Sequence, residues 1–416
     1  MIEINIDTLP GPTHAFSGIA HGNIPSFTSK GMPSNPKQAA LQCLEKMKYL
    51  MDLGIPQVVL PPQFKPNKAF LKTLTGSTSL RQIKRLDPKI QSALFSSANM
   101  WTANAATVSP SCDSPDGKVH ITPANLASHL HRFIDVPGTV ALLKKLFGNT
   151  KHFVVHEPLP PTLELHDEGA ANHTRFSNGL HLFVYGREEL KPITKRFFPR
   201  QPKLASQQIA ARHGLTNVLF AQQNPKAIDA GVFHNDVIST GHEDLFLVHE
   251  MAFVNQQELL TQLKDIQIIE ITDEELPLKE AVATYLFNSQ IVTCPETNHK
   301  VVFAPFECTH SEKAMSVLKR LELDPKTNIR EIVFIHLDQS MRNGGGPACL
   351  RLRIPLTRQE IDALPKSFLL TNALYHDLKS AIEALYPTQF SPETVTSDTL
   401  RTLESTTRAI QILLGC

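Results

Sequence analysis

Short runs of apolar, β-branched and aromatic residues recur along the whole chain, and turn-forming residues separate them. Such runs are typical of strands that are buried in a sheet. They predict strands at Gln57–Leu60, Phe153–His156, Leu180–Tyr185, Asn217–Phe220, Leu245–His249, Gln267–Ile271, Val301–Ala304, Glu331–His336 and Leu350–Pro355. We therefore expect β-structure throughout the chain.

Apolar residues at helical spacing lie between many of these runs. The clearest helix runs from Pro36 to Leu53, with Ser34 or Asn35 as its cap and Gly54 after its last turn. Further helices are predicted at Leu204–His213, Gln256–Leu263, Ser311–Leu321, Gln359–Leu364 and Ser367–Leu385. Strands that alternate with helices indicate a mixed α/β fold. Because the breaks between them are brief turns, we expect residues 1–416 to form a single domain.

Charge and composition narrow the partners and the compartment. Lysine and arginine number 41 against 40 acidic residues, so no excess positive charge is available for nucleic acid or for an anionic membrane. The six cysteines include no CxxC pair, which favours a reducing compartment over secretion. The amino terminus has no signal-peptide pattern, and no stretch of about 18 apolar residues occurs. We expect a cytoplasmic protein that contacts neither nucleic acid nor membrane.

Four polar segments interrupt the apolar pattern, at 100–107 (MWTANAAT), 167–175 (DEGAANHTR), 231–237 (GVFHNDV) and 343–353 (NGGGPACLRLR). Polar side chains are costly to bury unless a partner or a ligand satisfies them. In the last segment three glycines let the backbone approach a ligand closely, and Cys349 follows at the start of a predicted strand. A lone cysteine is more often a buried structural residue than a nucleophile. This segment alone therefore does not establish catalysis.

His234 and Glu168 are the other candidates for chemistry. His234 is followed by Asn235 and Asp236, so its ring can be held beside a carboxylate. Glu168 lies in a turn of small residues, where a carboxylate can hold a guanidinium. Taken singly, such residues are more often a loop histidine and a surface acid. Together with Cys349 they form a familiar set for covalent catalysis at an electron-poor carbon.

These segments, in this order, resemble those of the N-succinylarginine dihydrolase family. The match extends from THAFSGIAHGN near the amino terminus to LRLRIPLT, and it includes SNPKQAALQCLEKMK, HDEGAANH, LFVYGREE, DAGVFHNDV, TYLFNSQ and SMRNGGGPACLRLR. The resemblance implies the guanidino-group-modifying, or pentein, superfamily, whose fold is a five-bladed α/β propeller of ββαβ modules. It further implies a homodimer, a small-molecule substrate, and neither cofactor nor metal.

The resemblance also implies roles for individual residues. The nucleophile falls on Cys349, the catalytic histidine on His234 and the catalytic glutamate on Glu168. The family's substrate contacts fall on Ser17, Gly18, Ile19, Ala20, His21, Gly22, Asn23, Ile24, Pro25, Ser26, Asn104, His131, Arg132, Arg200, Asp236 and Asn343. Among these, Pro25 has no backbone N–H and cannot donate to a substrate oxygen.

The implied reaction removes both guanidino nitrogens of N2-succinylarginine as ammonia. A guanidinium carbon is a poor electrophile, so it must be held rigidly and attacked by a thiolate. We expect Glu168 and Asp236 to bind its nitrogens. His234 is expected to act as acid and then as base, with a titration near neutrality that suits both duties. Arg132 and Arg200 are the expected partners of the substrate's carboxylates.

Three alternatives remain open at this point. A deiminase or amidinotransferase of the same superfamily would use the same cysteine and histidine but would stop after one ammonia or pass the amidine on. A metallohydrolase is suggested by His129 and His131, since paired imidazoles can ligate zinc. A non-catalytic propeller is compatible with the implied fold, because fold does not fix function. The presence of Cys349, His234 and Glu168 in their motifs disfavours this last alternative.

Overall fold

A computed structural model of the chain describes residues 1–190 and 193–416. Within those residues fifteen strands form five three-stranded sheets. The strands are β1 (Ile2–Thr8), β2 (Gln57–Leu60), β3 (Ala106–Ser109), β4 (Val119–Pro123), β5 (Phe153–Val155), β6 (His173–Arg175), β7 (His181–Tyr185), β8 (Val218–Gln222), β9 (Ser239–His242), β10 (Leu245–His249), β11 (Gln267–Ile271), β12 (Gln290–Thr293), β13 (Lys300–Pro305), β14 (Ile329–Ile335) and β15 (Arg351–Leu356). The sheets have the orders β15–β1–β2, β3–β4–β5, β6–β7–β8, β9–β10–β11 and β12–β13–β14.

The five sheets repeat one topology. In each sheet the central strand is antiparallel to one neighbour and parallel to the other. Four sheets are built from consecutive strands, whereas the fifth combines the first two strands with the last one, because β1 pairs with β15 from Ile2–Leu356 to Asp7–Arg351. The antiparallel outer strands of several sheets also contact each other, β15 with β3, β6 with β9 and β9 with β12.

Helices connect the strands and cover the sheets. In the described residues the α-helices are α1 (Ile24–Thr28), α2 (Pro36–Asp52), α3 (Lys68–Thr75), α4 (Leu80–Ile83), α5 (Pro88–Phe95), α6 (Leu130–Phe133), α7 (Val136–Leu146), α8 (Lys203–Arg212), α9 (Pro225–Asp229), α10 (Gln256–Gln262), α11 (Leu278–Thr284), α12 (Glu312–Leu323), α13 (Asp338–Arg342), α14 (Arg358–Asp362), α15 (Asn372–Leu385) and α16 (Ser397–Leu413). The 3-10 helices are Ala98–Met100, Thr102–Asn104, Leu163–Leu165, Gly169–Asn172, Asn235–Val237, Leu286–Asn288, Phe306–His310, Lys366–Phe368 and Pro392–Thr394. Among the described helices, none is long and apolar enough to cross a membrane.

The mixed α/β class and the nine predicted strands are confirmed. The observed strands β2, β5, β7, β8, β10, β11, β13, β14 and β15 overlap the predicted runs. The sequence missed β1, β3, β4, β6, β9 and β12. Several of these strands carry buried polar residues, such as Asn5, Asp7 and Gln290, and so present no continuous apolar run. Because these strands contain buried polar residues, a search for apolar runs did not detect at least one strand of each sheet.

The predicted helices are confirmed except for the start of the last one. The Asn35 side chain caps α2, as expected. The helix expected from Ser367 instead begins at Asn372. The reason is a backbone hydrogen bond from the Leu370 N–H to the Gln57 carbonyl, 2.9 Å long, which holds this stretch beside β2.

The main apolar core is shared by the five sheets. One continuous cluster of buried residues includes Ile6, Val108, Val184, Phe246 and Phe303, each from a different sheet. Burial of apolar surface is the dominant favourable contribution to folding. The sheets are therefore held in fixed relation to one another, and the connections between them are placed with precision.

Candidate active site

The four polar segments of the sequence and the connection that carries Asn288 lie at equivalent places in the five sheets. A short 3-10 helix or a turn directly precedes each of β3, β6, β9, β12 and β15, the strands that lie antiparallel to the centre of their sheet. These connections carry Asn104, Asn172, Asn235, Asn288 and Cys349, in that order. Residues that are far apart in sequence thus come from five matching positions of the fold.

Three asparagine side chains tie these connections to one another. The bonds run from Asn104 Nδ2 to Glu168 O at 2.8 Å, from the Asn235 N–H to Asn172 Oδ1 at 2.8 Å, and from the Cys349 N–H to Asn288 Oδ1 at 3.2 Å. Buried polar networks in which the partners are satisfied make a site rigid. The backbone around the candidate catalytic residues is therefore fixed by side chains from neighbouring connections.

Cys349 ends the glycine-rich turn, just before β15, and is only 4% exposed. Its Sγ lies 3.2 Å from Asn288 Nδ2 and 3.3 Å from Asp236 Oδ2. Burial, followed by the adjacent Asp236 carboxylate, raises the pKa of the Cys349 thiol well above its usual value. Without a ligand the residue is therefore a thiol that donates to Asp236. A positive charge beside it would lower that pKa and favour the thiolate.

Two glycines of this turn are required by close contacts. A Cβ at Gly346 would lie 2.6 Å from Asn288 Oδ1, and a Cβ at Gly345 would lie 2.2 Å from Trp101 Nε1. Only a residue without a side chain lets the turn pack this tightly. The glycine run thus brings the backbone of Cys349 against the amide that supports it.

Asp236 is the carboxylate beside the nucleophile. Burial raises its pKa to about 6, while the hydrogen bond from Cys349 opposes the rise. Its Oδ1 is buried and has no hydrogen-bond partner among the described residues. A buried carboxylate oxygen needs a donor. Next to a thiol, this oxygen is well suited to accept an N–H of a guanidinium.

Glu168 lies in a second cluster, in which its oxygens are already bonded. Its Oε1 accepts from Ser128 Oγ at 2.5 Å, and its Oε2 accepts from Arg132 Nη1 at 2.5 Å and lies 2.6 Å from His234 Nε2. Burial raises the pKa of Glu168, but Arg132, His234 and Arg200 outweigh it and hold the pKa well below its usual value. Glu168 is thus ionised and binds a guanidinium, that of Arg132, from the protein itself.

The bond to Glu168 decides the tautomer of His234. An ionised carboxylate can only accept, so Nε2 carries the hydrogen and Nδ1 carries the lone pair. In the described part of the chain, Nδ1 is buried without a hydrogen-bond partner. Burial lowers the pKa of His234 to about 4, although Glu168 acts to raise it. The expected titration near neutrality is therefore wrong for the unliganded protein, because burial of the ring outweighs the carboxylate.

Arg132 and Arg200 both lie beside this carboxylate. Arg132 forms the 2.5 Å ion pair with Glu168, and Arg200 Nη1 lies 3.8 Å from the same oxygen. Arg200 also donates to the His21 carbonyl at 2.7 Å and stacks 4.8 Å from the centre of the Phe233 ring. Burial lowers the pKa of Arg200 to about 10, so it remains a cation at neutral pH. Arg200 thus joins the amino-terminal loop to the Glu168 cluster.

The amino-terminal loop lies between Arg200 and the glycine-rich turn. In it Ala20, Gly22, Asn23 and Ser26 are buried, His21 is exposed, and Ser17, Gly18, Ile19, Ile24 and Pro25 are half-buried. Asn23 Nδ2 donates to the Gly344 carbonyl at 2.9 Å, and Asn23 Oδ1 accepts from the N–H of Ser26 at the start of α1. The loop is therefore attached to the glycine-rich turn through Asn23 and to Arg200 through the His21 carbonyl, while His21 as a residue is exposed to solvent.

The remaining predicted residues lie around the same region. Asn343 Nδ2 donates to the Ala15 carbonyl at 3.3 Å. His131 is buried, with its ring 5.7 Å from that of His129, and burial lowers the pKa of His131 well below its usual value. His129 Nδ1 lies 2.8 Å from Ser128 Oγ. Within residues 1–190 and 193–416, no group of three or more His, Cys, Asp or Glu is placed to hold a metal ion.

Sequence reasoning did not single out Asn288, Asn172 or Ser128. The signal for the asparagines was present, since Asn288 lies in the TYLFNSQ motif and an asparagine also ends the short segments before β3 and β6. A comparison of these segments as repeats of one unit would have found them. Ser128 has no such signal, because its contact with Glu168 depends on how two distant loops meet.

Known proteins resemble the chain over nearly its whole length. A family model described as succinylarginine dihydrolase matches residues 1–415. A protein of Chromohalobacter salexigens named N-succinylarginine dihydrolase is 45% identical, over 99% of this chain and 96% of that one. A protein of the same name from Nitrosospira multiformis is 46% identical, over 94% of this chain and 92% of that one.

The fold is similar to that of a solved enzyme. The N-terminal domain of ArgZ, an arginine dihydrolase from the ornithine-ammonia cycle in cyanobacteria, superposes with a TM-score of 0.54. The two are 14% identical in sequence, and the match covers 86% of this chain and 98% of that domain. At this identity the likeness concerns the fold.

Proposed function

The chain belongs to the succinylarginine dihydrolase family, and on that premise we propose that it hydrolyses N2-succinylarginine with Cys349 as the nucleophile. The products are N2-succinylornithine, two ammonia and one carbon dioxide, so two water molecules are consumed. The observation that carries the proposal is the contact of 3.3 Å between Cys349 Sγ and Asp236 Oδ2. It places a thiol beside a carboxylate whose other oxygen is buried with no partner in the described residues.

The substrate's guanidinium binds to Asp236. Its N–H groups supply the donors that Oδ1 lacks, and its positive charge favours the ionised form of a carboxylate whose pKa burial has raised to about 6. The same charge lowers the pKa of the Cys349 thiol. Binding of the correct cation therefore creates the thiolate, and the unliganded enzyme keeps its nucleophile protonated.

His234 moves the protons in the first round. Its bare Nδ1 takes up the proton that Cys349 loses, and Glu168 balances the resulting positive charge through Nε2. Sγ attacks the guanidino carbon, the bond from that carbon to a terminal nitrogen breaks, and His234 protonates the departing ammonia. A water molecule then gives a proton to Nδ1 and attacks the thiouronium carbon, which breaks the bond to Sγ and leaves a ureido group.

The second round repeats these steps on the ureido carbon. Cys349 attacks again, the second ammonia leaves, and a second water releases a carbamate that loses carbon dioxide. Because the ureido group is neutral, it no longer attracts Asp236 by charge. Retention of the intermediate then depends on the substrate's carboxylates, for which Arg200 and the loop at 17–26 supply a cation and N–H donors.

Membership of the family also bears on how the five sheets are arranged. We propose that the five sheets are the blades of a propeller, supported by their common topology, by contacts between outer strands and by the sheet that β1 and β15 share. The active site then lies where the five connections converge. A single catalytic domain and a cytoplasmic location stay predictions that rest on the sequence pattern, and a homodimer stays a prediction that rests on the resemblance.

A time course on purified protein tests the function. With N2-succinylarginine we expect two ammonia and one N2-succinylornithine per substrate, with little free N2-succinylcitrulline. One ammonia per substrate, with N2-succinylcitrulline as the stable product, would make the protein a deiminase. No turnover by folded protein would overturn the proposal.

A further inference from the structure

A small cavity lies beside Arg132 and Asp135. Its volume is about 10 Å³, and its lining includes Asn99, Trp101, Arg132, Asp135 and Thr139. A cavity of roughly this size holds one water molecule, provided that two to four polar groups line it. An apolar cavity would stay empty, so the chemistry of the lining decides its content.

Three polar atoms of the lining residues lack a partner. Within the described ranges, Asn99 Nδ2, Arg132 Nη2 and Asp135 Oδ2 are buried and make no hydrogen bond. Each such atom costs free energy if it stays unpaired, and a charged one costs more. Two of these atoms donate and one accepts. A single water can accept from the first two and donate to the third.

The arrangement of Arg132 and Asp135 also supports a bound water molecule in the cavity. The residues are three apart in the chain, 4% and 2% exposed respectively, and opposite in charge. In the described part of the chain, no ion pair of 4.0 Å or less joins them directly. Each charge is paired through another atom, Arg132 with Glu168 and Asp135 with Lys65, but Arg132 Nη2 and Asp135 Oδ2 have no partner in the described residues, and a molecule between them would supply one.

The cavity connects two ion pairs. On one side Asp135 Oδ1 accepts from Lys65 Nζ at 2.5 Å. On the other side Arg132 Nη1 donates to Glu168 at 2.5 Å, and Glu168 in turn bonds His234 at 2.6 Å. The signs of the charges alternate from Lys65 to Glu168. A bridging molecule would make these groups one continuous network that ends on the catalytic histidine.

We propose that one water molecule occupies this cavity, bonded to Asn99, Arg132 and Asp135, and that Lys65 and Asp135 act through it as a positioning pair. Neither residue touches the substrate. Asp135 holds the guanidinium of Arg132 in place, and Arg132 keeps Glu168 ionised and aligned with His234. The catalytic part of this inference rests on the proposed function, whereas the water itself does not.

A high-resolution crystal structure tests the water directly. We expect one peak of solvent density in the cavity, within hydrogen-bond distance of Asn99 Nδ2, Arg132 Nη2 and Asp135 Oδ2. An empty cavity, or a direct contact between Arg132 and Asp135, would overturn the inference whether or not the enzyme turns over N2-succinylarginine.

Paired substitutions test the positioning role without leaving a buried charge. Replacement of a buried ion pair by apolar residues of similar size is often neutral for stability, so the variant Lys65→Met/Asp135→Leu should fold. We expect kcat to fall about 10- to 100-fold with little change in KM, as the loss of a hydrogen bond to a charged group gives. Lys65→Met/Asp135→Asn keeps an oxygen for the water and should retain more activity.

The pH profile separates positioning from general destabilisation. If Arg132 is loosened, the pKa of Glu168 rises, so the acidic limb of kcat should move to higher pH in the Leu variant. The matched control is the surface pair Lys68–Glu404, in which Lys68 is exposed and Glu404 is half-buried, and whose Nζ and Oε1 lie 2.6 Å apart. Lys68→Met/Glu404→Gln should keep the wild-type profile. If Lys65→Met/Asp135→Leu kept the kcat and the acidic limb of the wild type, the positioning role of Lys65 and Asp135 would be overturned. An inactive wild-type protein would instead refute the proposed function.

Discussion

The two carboxylates of the site differ in what surrounds them. Glu168 is bonded to Ser128, Arg132 and His234, and neighbouring cations hold its pKa well below the usual value. Asp236 has a thiol as its neighbour, and burial raises its pKa to about 6. When their environments shift the pKa values of two neighbouring acids in opposite directions, the two acids generally have different roles in catalysis. The hydrogen bonds of Glu168 are satisfied by the protein, whereas Asp236 Oδ1 has no partner in the described residues and is the oxygen that we propose binds the substrate.

The difference between the two carboxylates bears on two steps of the proposed reaction, proton transfer by His234 and formation of the thiolate of Cys349. Since Glu168 is ionised before any ligand binds, it can stabilise a protonated His234 during turnover. In the proposed mechanism Cys349, whose pKa burial and the Asp236 carboxylate raise, stays a thiol until a guanidinium enters. According to this proposal, the thiolate of Cys349 forms only when the group that it attacks has bound.

The largest effect is expected at Cys349. Cys349→Ser should lower kcat by up to about 10⁶, because it removes the covalent nucleophile, while the fold and substrate binding remain. The assay is ammonia release, with binding measured by calorimetry. Cys112→Ser is the matched control, since Cys112 is exposed and should tolerate the change. Near-normal turnover by folded Cys349→Ser would contradict the covalent scheme.

A smaller loss, about 10⁴-fold, is expected for Glu168→Gln. An amide in place of the carboxylate can donate to His234, which selects the wrong tautomer, and it no longer balances the charge of the ring. Steady-state rates of this variant, of His234→Ala and of the double variant measure the coupling. Members of one catalytic unit are not additive, so the double variant should be little worse than either single one. Fully multiplicative losses would show that the two residues act separately.

Asn288→Ala should reduce kcat about 10- to 100-fold. The amide forms hydrogen bonds with the Cys349 N–H, Cys349 Sγ and the Asp236 carbonyl. Its loss removes support from Cys349 and Asp236 and leaves the contacts of Glu168 unchanged. Rates measured at saturating and at low substrate concentrations separate an effect of the substitution on kcat from an effect on KM. Unchanged rates would mean that the glycine-rich turn alone fixes the nucleophile.

The smallest expected effects are on thermal stability, and they have opposite signs. The raised pKa of Asp236 means that its ionisation destabilises the fold as pH rises through about 6, so Asp236→Asn at pH 8 should raise Tm by about 1–4 °C. The lowered pKa of Glu168 means that its charge stabilises the fold above its unfolded pKa. Glu168→Gln at pH 8 should therefore lower Tm.

A change to pH 5 sharpens this comparison. Asp236 is then largely protonated in the folded protein, so the gain from Asp236→Asn should shrink. Glu168 is still ionised, so the deficit of Glu168→Gln should persist. Shifts of the same sign for both variants at pH 8 would contradict the assignment of opposite environments to the two carboxylates.

The sequence indicated which residue types form the candidate site better than it indicated their contacts. Cys349, His234 and Asp236 lie in polar segments that stand out from the apolar pattern, and the structure brings them to matching connections. The partners of Glu168 were not predictable in the same way. Arg132 was expected to bind substrate, but its ion pair with Glu168 depends on how two loops pack. Sequence patterns report residue types, whereas burial and pairing arise from the tertiary fold.

The most direct test is to trap the reaction of Cys349 with substrate. Wild-type enzyme is mixed with N2-succinylarginine, quenched in acid during turnover and digested, and the peptide that contains Cys349 is weighed by mass spectrometry. The account predicts that this peptide gains the mass of the substrate less one ammonia, and that the adduct disappears when substrate is exhausted. Steady release of ammonia with no adduct on Cys349, together with turnover by Cys349→Ser, would contradict it.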